Sequence, residues 1–340
     1  MNLVAATTSA VERLPLPDVI TRAGIAMLVD RTGRQLERND SEAEKAFAAT
    51  MACYPIAVRP DAANAQHYEL PPEFFALILG PRRKYSCCLY AGARTLAEAE
   101  ERALEATAAH AALADGQDIL ELGCGWGSLT LSMAERFPNA RITAVSNSHA
   151  QRRFIESEAA RRGFHSLRVI TADMNDFDPA RQFDRVLSVE MWEHMSNWQA
   201  LLFRVRGWLH AEGRLFLHVF SHRSMPYRFD HTDPTDWIAQ HFFTGGIMPS
   251  HGLIRHLDRN FIVEQDWRWS GEHYRRTAED WLKNFDDHGA EIDIILRTAY
   301  GWDAALWKRR WRLFFLATSG LFGARRGDAW GVSHYLLRPK

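Results

Sequence analysis

The sequence predicts an α/β fold: a doubly wound, mostly parallel sheet with an N-terminal helical region and a helical cap insertion. Three observations lead to this prediction. Strand-like and helix-like segments alternate from Asp115 to Phe220, which is typical of parallel strands joined by crossover helices. A loop with three glycines follows the first of these strands, and the alternation stops after Phe220. The 340 residues exceed one ordinary domain and leave room for both additions.

Each element of the predicted sheet has its own signal. The apolar run from Asp118 to Leu122 predicts a short buried strand, and the helix after the glycine loop ends before Pro138. A second helix, from Ser148 to Arg162, is closed by Gly163, the residue type that most often ends a helix in the left-handed conformation. The other predicted elements are strands at 141–146, 167–172, 183–189 and 213–220, a helix at 198–210, and closing strands at 260–268 and 330–337.

The same pattern divides the chain into two regions. Residues 1–112 predict an N-terminal helical region, in which Thr95 and Glu98 form a capping box. Residues 113–340 predict the sheet domain, with insertions at about 221–260 and 270–328 that are rich in Trp, Phe and His. We expect these insertions to pack with the N-terminal helices as one cap. The cap should cover a crevice at the carboxyl ends of the strands, beside the first strand.

The composition excludes several classes of protein. The 41 Lys and Arg residues are balanced by 42 Asp and Glu residues, so no basic field predicts nucleic-acid binding. The cysteines lack the spacing of a metal site or a disulfide framework, so we expect no bound metal and a reducing, cytoplasmic environment. Glu12 and two prolines interrupt the N-terminal stretch, and no segment approaches the roughly 20 apolar residues of a membrane span. The four cysteines are Cys53, Cys87, Cys88 and Cys124.

The glycine loop, Glu-Leu-Gly-Cys-Gly-Trp-Gly, occupies residues 121–127 between a strand and a helix. Gly123, Gly125 and Gly127 let the backbone turn tightly and approach a ligand closely. A dinucleotide site is disfavoured because the glycine spacing is GxGxG instead of GxGxxG. The second strand also ends at Ser146 without the acidic residue that binds a ribose.

This loop resembles motif I of the class I S-adenosylmethionine (SAM) methyltransferases, which have a Rossmann-like fold. Asp173 and Met174 follow the third strand, where that fold places its adenine contacts. The resemblance implies SAM as the cofactor.

Further motifs extend the resemblance from about residue 66 to residue 337. They are Tyr68-Glu-Leu-Pro, Lys84-Tyr-Ser-Cys-Cys, Val145-Ser-Asn-Ser with Gln151, Ser188-Val-Glu-Met-Trp-Glu-His-Met, Leu217-His-Val-Phe, Phe242-Phe-Thr-Gly-Gly-Ile-Met-Pro-Ser, and Gly271-Glu-His-Tyr-Arg-Arg-Thr with Trp281. In this order they resemble the family of cyclopropane-fatty-acyl-phospholipid synthases and mycolic acid methyltransferases, most closely the plant coclaurine-type N-methyltransferases. Residues 1–65 are not covered.

The resemblance implies a SAM site built from several separate segments. Two of its members have a second interpretation from the sequence alone. Gln151 stands three residues after Ser148, the spacing of a helix cap, and Tyr85 could simply pack the cap against the core. The implied cofactor residues are Tyr85, Ser86, Glu121, Gly123, Gly125, Gly127, Ser146, Asn147, Gln151, Asp173 and Met174.

An acid–base cluster follows the fourth strand at Glu190, Glu193 and His194. Methyl transfer from a sulfonium needs a nucleophile about 3–3.5 Å from the methyl group and an acceptor for the nucleophile's proton. An amine attacks only as the free base, so a neighbouring carboxylate or imidazole would take its proton. In the coclaurine-type enzymes the equivalent residues reach the substrate nitrogen. The structural alternative is that Glu193 and His194 cap the following helix.

The cyclopropane branch implies a different reaction. There an alkene attacks the methyl group, and a bound bicarbonate takes a proton from the resulting carbocation. The residues at the positions that would hold bicarbonate are chemically suitable for that role, so the sequence does not exclude this reaction. His218 could also be an ordinary core histidine. The implied bicarbonate residues are Cys87, Glu193, His218, the backbone at Phe220, and Tyr274.

The run from Phe242 to Ser250 favours the N-methyltransferase branch. We therefore expect a SAM-dependent methyltransferase that acts on an amine nitrogen of a small molecule in a hydrophobic, aromatic-walled pocket. The alternative is cyclopropanation or C-methylation of unsaturated acyl chains of phospholipids, with bicarbonate as base. A non-catalytic SAM-binding or lipid-binding protein is disfavoured by the complete acid–base cluster.

The segment from Trp307 to Leu316 contains four basic residues among aromatic and aliphatic ones. It could lie at a membrane surface as a basic amphipathic helix, which the lipid alternative requires. The more common arrangement is a cap helix with its Trp residues inward and its Arg residues outward. The sequence leaves peripheral membrane contact and a homodimer open.

Overall fold

The computed structural model describes residue 12 and residues 16–37, 41–58, 70–233, 235–257 and 259–340. The motif that begins at Tyr68 and Glu69 lies partly outside these residues, as does most of the N-terminal stretch. The described chain forms a seven-stranded sheet and a separate two-stranded ribbon. Within the described ranges, no helix combines the length and apolarity needed to cross a bilayer.

The seven-stranded sheet has the order β3-β2-β1-β4-β5-β9-β8. Its strands from β3 to β5 are parallel neighbours, and β9 lies antiparallel between β5 and β8. The strand order reverses beside β1, which is where open α/β sheets bind ligands. The strands are β1 Asp118–Leu122, β2 Arg141–Ser146, β3 Leu167–Thr171, β4 Phe183–Val189, β5 Leu209–His222, β8 Phe261–Ser270 and β9 Trp330–Pro339, with β6 Tyr227–Arg228 and β7 Ile247–Met248 as the ribbon.

Helices cover the sheet and build the cap. Gly163 ends its helix with a φ of +74°, as predicted. Thr95 caps its helix with a side-chain oxygen that accepts the N–H of Glu98, but the Glu98 carboxylate accepts the Arg94 N–H, so only half of the predicted capping box forms. The helices are α1 Asp18–Leu36, α2 Ser41–Thr50, α3 Pro72–Ile78, α4 Leu96–His110, α5 Ser128–Arg136, α6 His149–Arg162, α7 Trp198–Gly207, α8 Trp237–His241, α9 Gly271–Asp287, α10 Gly289–Tyr300 and α11 Ala304–Gly323.

The predicted helix end and strand start near residue 210 are wrong. The helix expected to reach His210 ends at Gly207, and β5 begins at Leu209 instead of Gly213. Leu209 pairs with Phe183 of β4 across an irregularity in the register. Sheet pairing and burial therefore override the helical pattern of these residues, because tertiary contacts outweigh local propensity.

The N-terminal helices and the insertion pack together. Arg312 of α11 forms ion pairs with Asp18 of α1 (2.6 Å) and with Asp286 of α9 (2.9 Å). The ring centroid of Phe74 in α3 lies 5.0 Å from that of the buried Trp311 in α11. The Arg312–Asp18 and Phe74–Trp311 contacts join the first hundred residues to the last forty. The division of the chain at residue 112 stays a prediction.

Candidate active site

Two clefts open at the carboxyl ends of β1, β2 and β4. The larger, of about 740 Å³, is lined by nine of the predicted site residues. The smaller, of about 560 Å³, lies on the other side of the glycine loop. Gly123, Gly125 and Glu190 line both clefts. The larger cleft is lined by Ala57, Gly123, Gly125, Val145, Ser146, Asn147, Gln151, Ala172, Asp173, Met174, Glu190, Met191, His194, Met195 and Thr244.

The three glycines of the loop have different roles. All have positive φ, which glycine adopts at little cost. A Cβ on Gly123 would lie 2.6 Å from Met191, and one on Gly127 would lie 2.6 Å from Ile155, so both permit close packing. A Cβ on Gly125 would meet nothing within 4 Å and would enter the clefts. Gly125 is therefore the position where the backbone itself faces a ligand.

Polar atoms without partners surround this loop. Gln151 is almost fully buried; its Oε1 accepts the Ser146 hydroxyl at 2.6 Å, whereas its Nε2 has no hydrogen-bond partner. Ser148 accepts the backbone N–H of Gln151, so helix capping uses the backbone of Gln151 and leaves its side chain to the cleft. The Trp126 Nε1 and the Ser128 hydroxyl, beside the smaller cleft, also lack partners. Buried donors are ordinarily satisfied, so these atoms beside the clefts are available to a ligand.

The other predicted cofactor residues also reach the clefts. Asn147, Asp173 and Met174 line the larger one. Tyr85 and Ser86 line the smaller one. Tyr85 also packs against the cap, where its ring lies 5.3 Å from that of Phe75 and 5.5 Å from that of Trp281.

Glu121 lies behind the glycine loop at the smaller cleft. Its buried Oε2 accepts the Thr130 hydroxyl at 2.5 Å. Burial raises the pKa of Glu121 to about 8, only partly opposed by this hydrogen bond. The side chain therefore supports the loop as a largely neutral acid.

Glu190 stands at the junction of the two clefts. Its φ of +49° is unusual for a residue with a side chain and costs about 1–3 kcal/mol. This backbone turn places its carboxylate against the Cys87 N–H (2.9 Å) and the Tyr274 hydroxyl (2.6 Å), which donate to it. The His218 Nε2 lies 3.1 Å away and is the third donor in the tautomer that carries its proton on that nitrogen. Burial has the larger effect and raises the pKa of Glu190 above its usual value, although the charge of Lys84 and the bonds from Tyr274 and Cys87 oppose the rise.

Lys84 was not predicted as a site residue, although it begins one of the quoted motifs. It is buried, and its Nζ donates to the Cys87 carbonyl at 2.7 Å and to the Ser86 hydroxyl at 2.5 Å. A lysine is rarely buried without a partner, and its position beside Glu190 follows only from the fold. Cys87 contributes its backbone to the site, since burial raises the pKa of its thiol well above the usual range.

Glu193 and His194 form a short 3-10 turn after β4. Glu193 is fully buried; its Oε1 accepts the Phe220 N–H at 2.6 Å, and its Oε2 has no partner. Burial and the neighbouring Glu190 raise its pKa well above the usual range. His194 faces the larger cleft with its ring stacked on Phe243, 5.0 Å away. The next helix is capped by Asn197 instead, so Glu193 and His194 are not its caps.

The chain matches the family model described as mycolic acid cyclopropane synthetase over residues 58–330. The chain belongs to this family. It is 35% identical to (S)-coclaurine N-methyltransferase from Thalictrum flavum subsp. glaucum over 84% of this chain and 81% of that one.

Two solved structures extend the comparison. The structure of coclaurine N-methyltransferase bound to N-methylheliamine and SAH has a TM-score of 0.89 and 31% identity, and covers 96% of each chain. A cyclopropane synthase from Mycobacterium tuberculosis has a TM-score of 0.70 at 21% identity, covering 84% of this chain and 99% of that one. The second shows the shared fold alone.

As a member of the mycolic acid cyclopropane synthetase family, the chain is a SAM-dependent methyltransferase with the class I α/β fold. Its own residues fit that cofactor. The backbone at Gly125 is open to the clefts, and Gln151 and Ser128 offer buried polar atoms without partners. The predicted family, fold and cofactor are thereby confirmed.

Proposed function

We propose that this enzyme methylates the nitrogen of a hydrophobic small-molecule amine. The relatives named as N-methyltransferases support this proposal. The observation that carries it is the position of the Glu190 carboxylate, which fills a cradle of donors from three distant parts of the chain. SAM, when bound, supplies an electrophilic methyl group.

The same cradle is what the resemblance assigns to bicarbonate. Cys87, His218 and Tyr274 all bind Glu190, and the Phe220 N–H binds Glu193. Every donor that would hold bicarbonate is therefore bound to a carboxylate of the chain itself. An alkene substrate needs that external base, whereas an amine needs only a fixed anion beside it. This arrangement favours the amine reaction without bicarbonate.

The residues of the site have different proposed roles. Burial disfavours the charge of Glu190 and raises its pKa, while the neighbouring donors and the Lys84 ammonium partly offset this effect. Glu190 can hold a cationic amine and accept its proton, so that the free base is formed where the methyl group is delivered. The ring of His194 lines the larger cleft and is suited to orient the substrate nitrogen. Glu193 lines neither cleft; it lies buried behind His194 with its Oε2 unpartnered.

The basic segment of α11 bears on the membrane alternative. Arg310 lies 3.4 Å from the Glu12 carboxylate, Arg312 is paired with Asp18, and Lys308 lies 2.8 Å from Asp293. These cations are engaged within the cap, so we propose that the enzyme takes its substrate without membrane contact.

The decisive experiment offers methyl-labelled SAM to amines and to unsaturated phospholipid vesicles, with and without bicarbonate, and identifies the products by mass spectrometry. Heliamine, whose N-methylated form occupies the similar structure, is the first amine. We expect labelled N-methyl product and no response to bicarbonate. A rate faster at higher pH is also expected, because the free base is the nucleophile. Labelled cyclopropane in a bicarbonate-dependent reaction, without amine methylation, would overturn the proposal.

A Glu190→Gly variant tests the cradle itself. Glycine adopts the φ of +49° freely, so the substitution empties the cradle without backbone strain. We expect turnover to fall by about 10²–10⁴ and to recover partly with added acetate or formate. The matched control is Glu279→Gln, which changes a part-buried carboxylate that is paired with the Arg22 guanidinium and lines neither cleft. Full activity of Glu190→Gly without any added anion would contradict the role given to Glu190.

A further inference from the structure

We propose that His218, His334 and His110 form a proton path between Glu190 and the protein surface. The path rests on the proposed function, because it serves the proton that an amine substrate gives up. It involves two histidines, His110 and His334, for which the sequence offered no role.

The four groups form an unbroken chain of contacts. The Glu190 Oε1 lies 3.1 Å from the His218 Nε2, and the His218 Nδ1 lies 2.8 Å from the His334 Nε2. The His334 Nδ1 in turn lies 2.8 Å from the His110 Nδ1. Each of the two inner rings thus uses one nitrogen toward the site and the other toward the surface.

The fold holds this chain in place. His218 and His334 are direct partners in the antiparallel pairing of β5 with β9. His110 is the last residue of α4, and its ring is stacked on Trp267 of β8 at 3.9 Å with an interplanar angle of 3°. The path therefore runs from the end of β4 across the sheet to a helix end.

The solvent exposure of the three histidines differs between the inner and outer ends of the path. His218 and His334 are fully buried, and His110 is half-buried. Burial lowers the pKa of all three imidazoles, and the nearby Lys84 lowers those of the two inner rings further. Neutral rings pass a proton along without trapping it as an imidazolium.

Each proton taken from the substrate leaves as one proton at the protein surface. An amine that arrives as an ammonium ion loses one N–H proton to Glu190, and the electron pair stays on nitrogen as the nucleophile. The rings first take the tautomer with the proton on Nδ1, in which the His218 Nε2 accepts from Glu190 instead of donating to it. The carboxylic acid then gives its proton to the His218 Nε2 while the His218 Nδ1 releases one to the His334 Nε2. His334 passes one from its Nδ1 to the His110 Nδ1, and the His110 Nε2 releases one to solvent. The ring tautomers re-equilibrate before the next passage.

The enclosed position of Glu190 is the reason to expect such a path. The three donors and the Lys84 ammonium surround its carboxylate, whose side chain is only 7% exposed. A bound substrate would close the remaining access from the clefts, so a proton held on Glu190 needs another way out. Three hydrogen-bonded histidines that merely fill the core would need no open end, yet the outer ring reaches the surface.

The test compares methyl transfer with proton release in single turnovers, in weakly buffered solution with a pH-indicator dye and heliamine as substrate. We expect proton release to keep pace with methylation in the wild type. In His110→Ala it should lag by about tenfold or more. Free imidazole, which can occupy the gap left on Trp267, should restore it. His334→Gln should lag likewise and resist rescue, because its position is fully buried. His210→Ala, an exposed histidine off the path, is the control.

Proton release that keeps pace with methylation in both path variants would overturn the path. Absence of amine methylation in the wild type would instead contradict the proposed function, and a second measurement then decides the path. Nuclear magnetic resonance of the ¹⁵N-histidine-labelled protein reports which nitrogen of each ring bears the proton. A continuous path requires the same tautomer in His218 and His334 and the opposite one in His110. Any other pattern breaks the chain and excludes the path.

Discussion

The Tyr274 hydroxyl donates a hydrogen bond of 2.6 Å to the Glu190 Oε2, which joins helix α9 of the cap to the end of strand β4. The cap therefore contributes to the charge state of a residue in the sheet domain. The bond lowers the pKa of Glu190 against the opposing effect of burial. The Tyr274 ring is also stacked on Phe322, at 4.3 Å between centroids.

Replacing Tyr274 with Phe keeps this stacking and removes only the hydroxyl. The Glu190 anion then loses a donor, so its pKa rises and the acidic limb of the rate profile moves to higher pH. A hydrogen bond to a charged group is worth about 1.5–3 kcal/mol, or about 1–2 pKa units. The profile of kcat/KM against pH with one amine measures the shift. Tyr90→Phe, which removes a cap hydroxyl bound to Asp280, should leave the profile where it is.

Gly125→Val should abolish SAM binding while Gly163→Val should not. Both glycines have positive φ and open space at the Cβ position, so both variants bear a similar backbone strain of about 1–3 kcal/mol. Only at Gly125 does the added side chain enter the clefts. Isothermal calorimetry with SAM and with its demethylated product distinguishes the two. Unchanged affinity in Gly125→Val would remove the glycine loop from the cofactor site.

Glu193→Gln and His194→Ala should impair turnover more than SAM binding. Glu193 has an oxygen without a partner, and His194 faces the larger cleft. Loss of a positioned acid–base group costs about 10²–10⁴ in rate, so kcat should fall by that range with the SAM affinity within about twofold. His256→Ala, which breaks only a contact with Glu44, is the control. Near wild-type turnover in both variants would exclude them from the mechanism.

Glu121→Gln should stabilise the protein at neutral pH. The pKa of Glu121 is about 8 when folded against an ordinary 4.5, so the unfolded chain ionises first and stability falls as the pH rises between these values. From pH 5 to pH 7 this group should cost about 2–3 kcal/mol. The variant keeps the acceptor for Thr130 and escapes that loss. Urea unfolding without SAM at both pH values measures it, and an equal pH dependence in both proteins would contradict the prediction.

The protein should not bind anionic liposomes at low salt. Arg310 and Arg312 of α11 are engaged by acidic side chains, and Trp311 is buried in the cap. The helix therefore presents neither a free basic face nor a free apolar one. Co-sedimentation with phosphatidylglycerol vesicles tests this, with phosphatidylcholine vesicles as the reference. Salt-sensitive binding would contradict this prediction and support the alternative reaction on the acyl chains of phospholipids.

Local features of the sequence were enough to predict the alternating sheet, the glycine loop and the acid–base cluster. Gly125 and Gln151 follow their strands within a few residues, and Glu190, Glu193 and His194 belong to one short turn. Neighbours in sequence stay neighbours in the fold, and the carboxyl ends of parallel strands meet at one edge. The place of the site could therefore be predicted from short segments.

Only the tertiary structure decided what surrounds Glu190. Its donors come from residues 87, 218 and 274, and the further contact of His218 with His334 depends on the register of two strands separated by more than a hundred residues. Strand register is set by burial and packing of whole faces, not by local propensity. The end of α7 at Gly207 was mispredicted for the same reason. The sequence by itself determined which reactive groups this protein has. Long-range packing determined which of them form hydrogen bonds with one another.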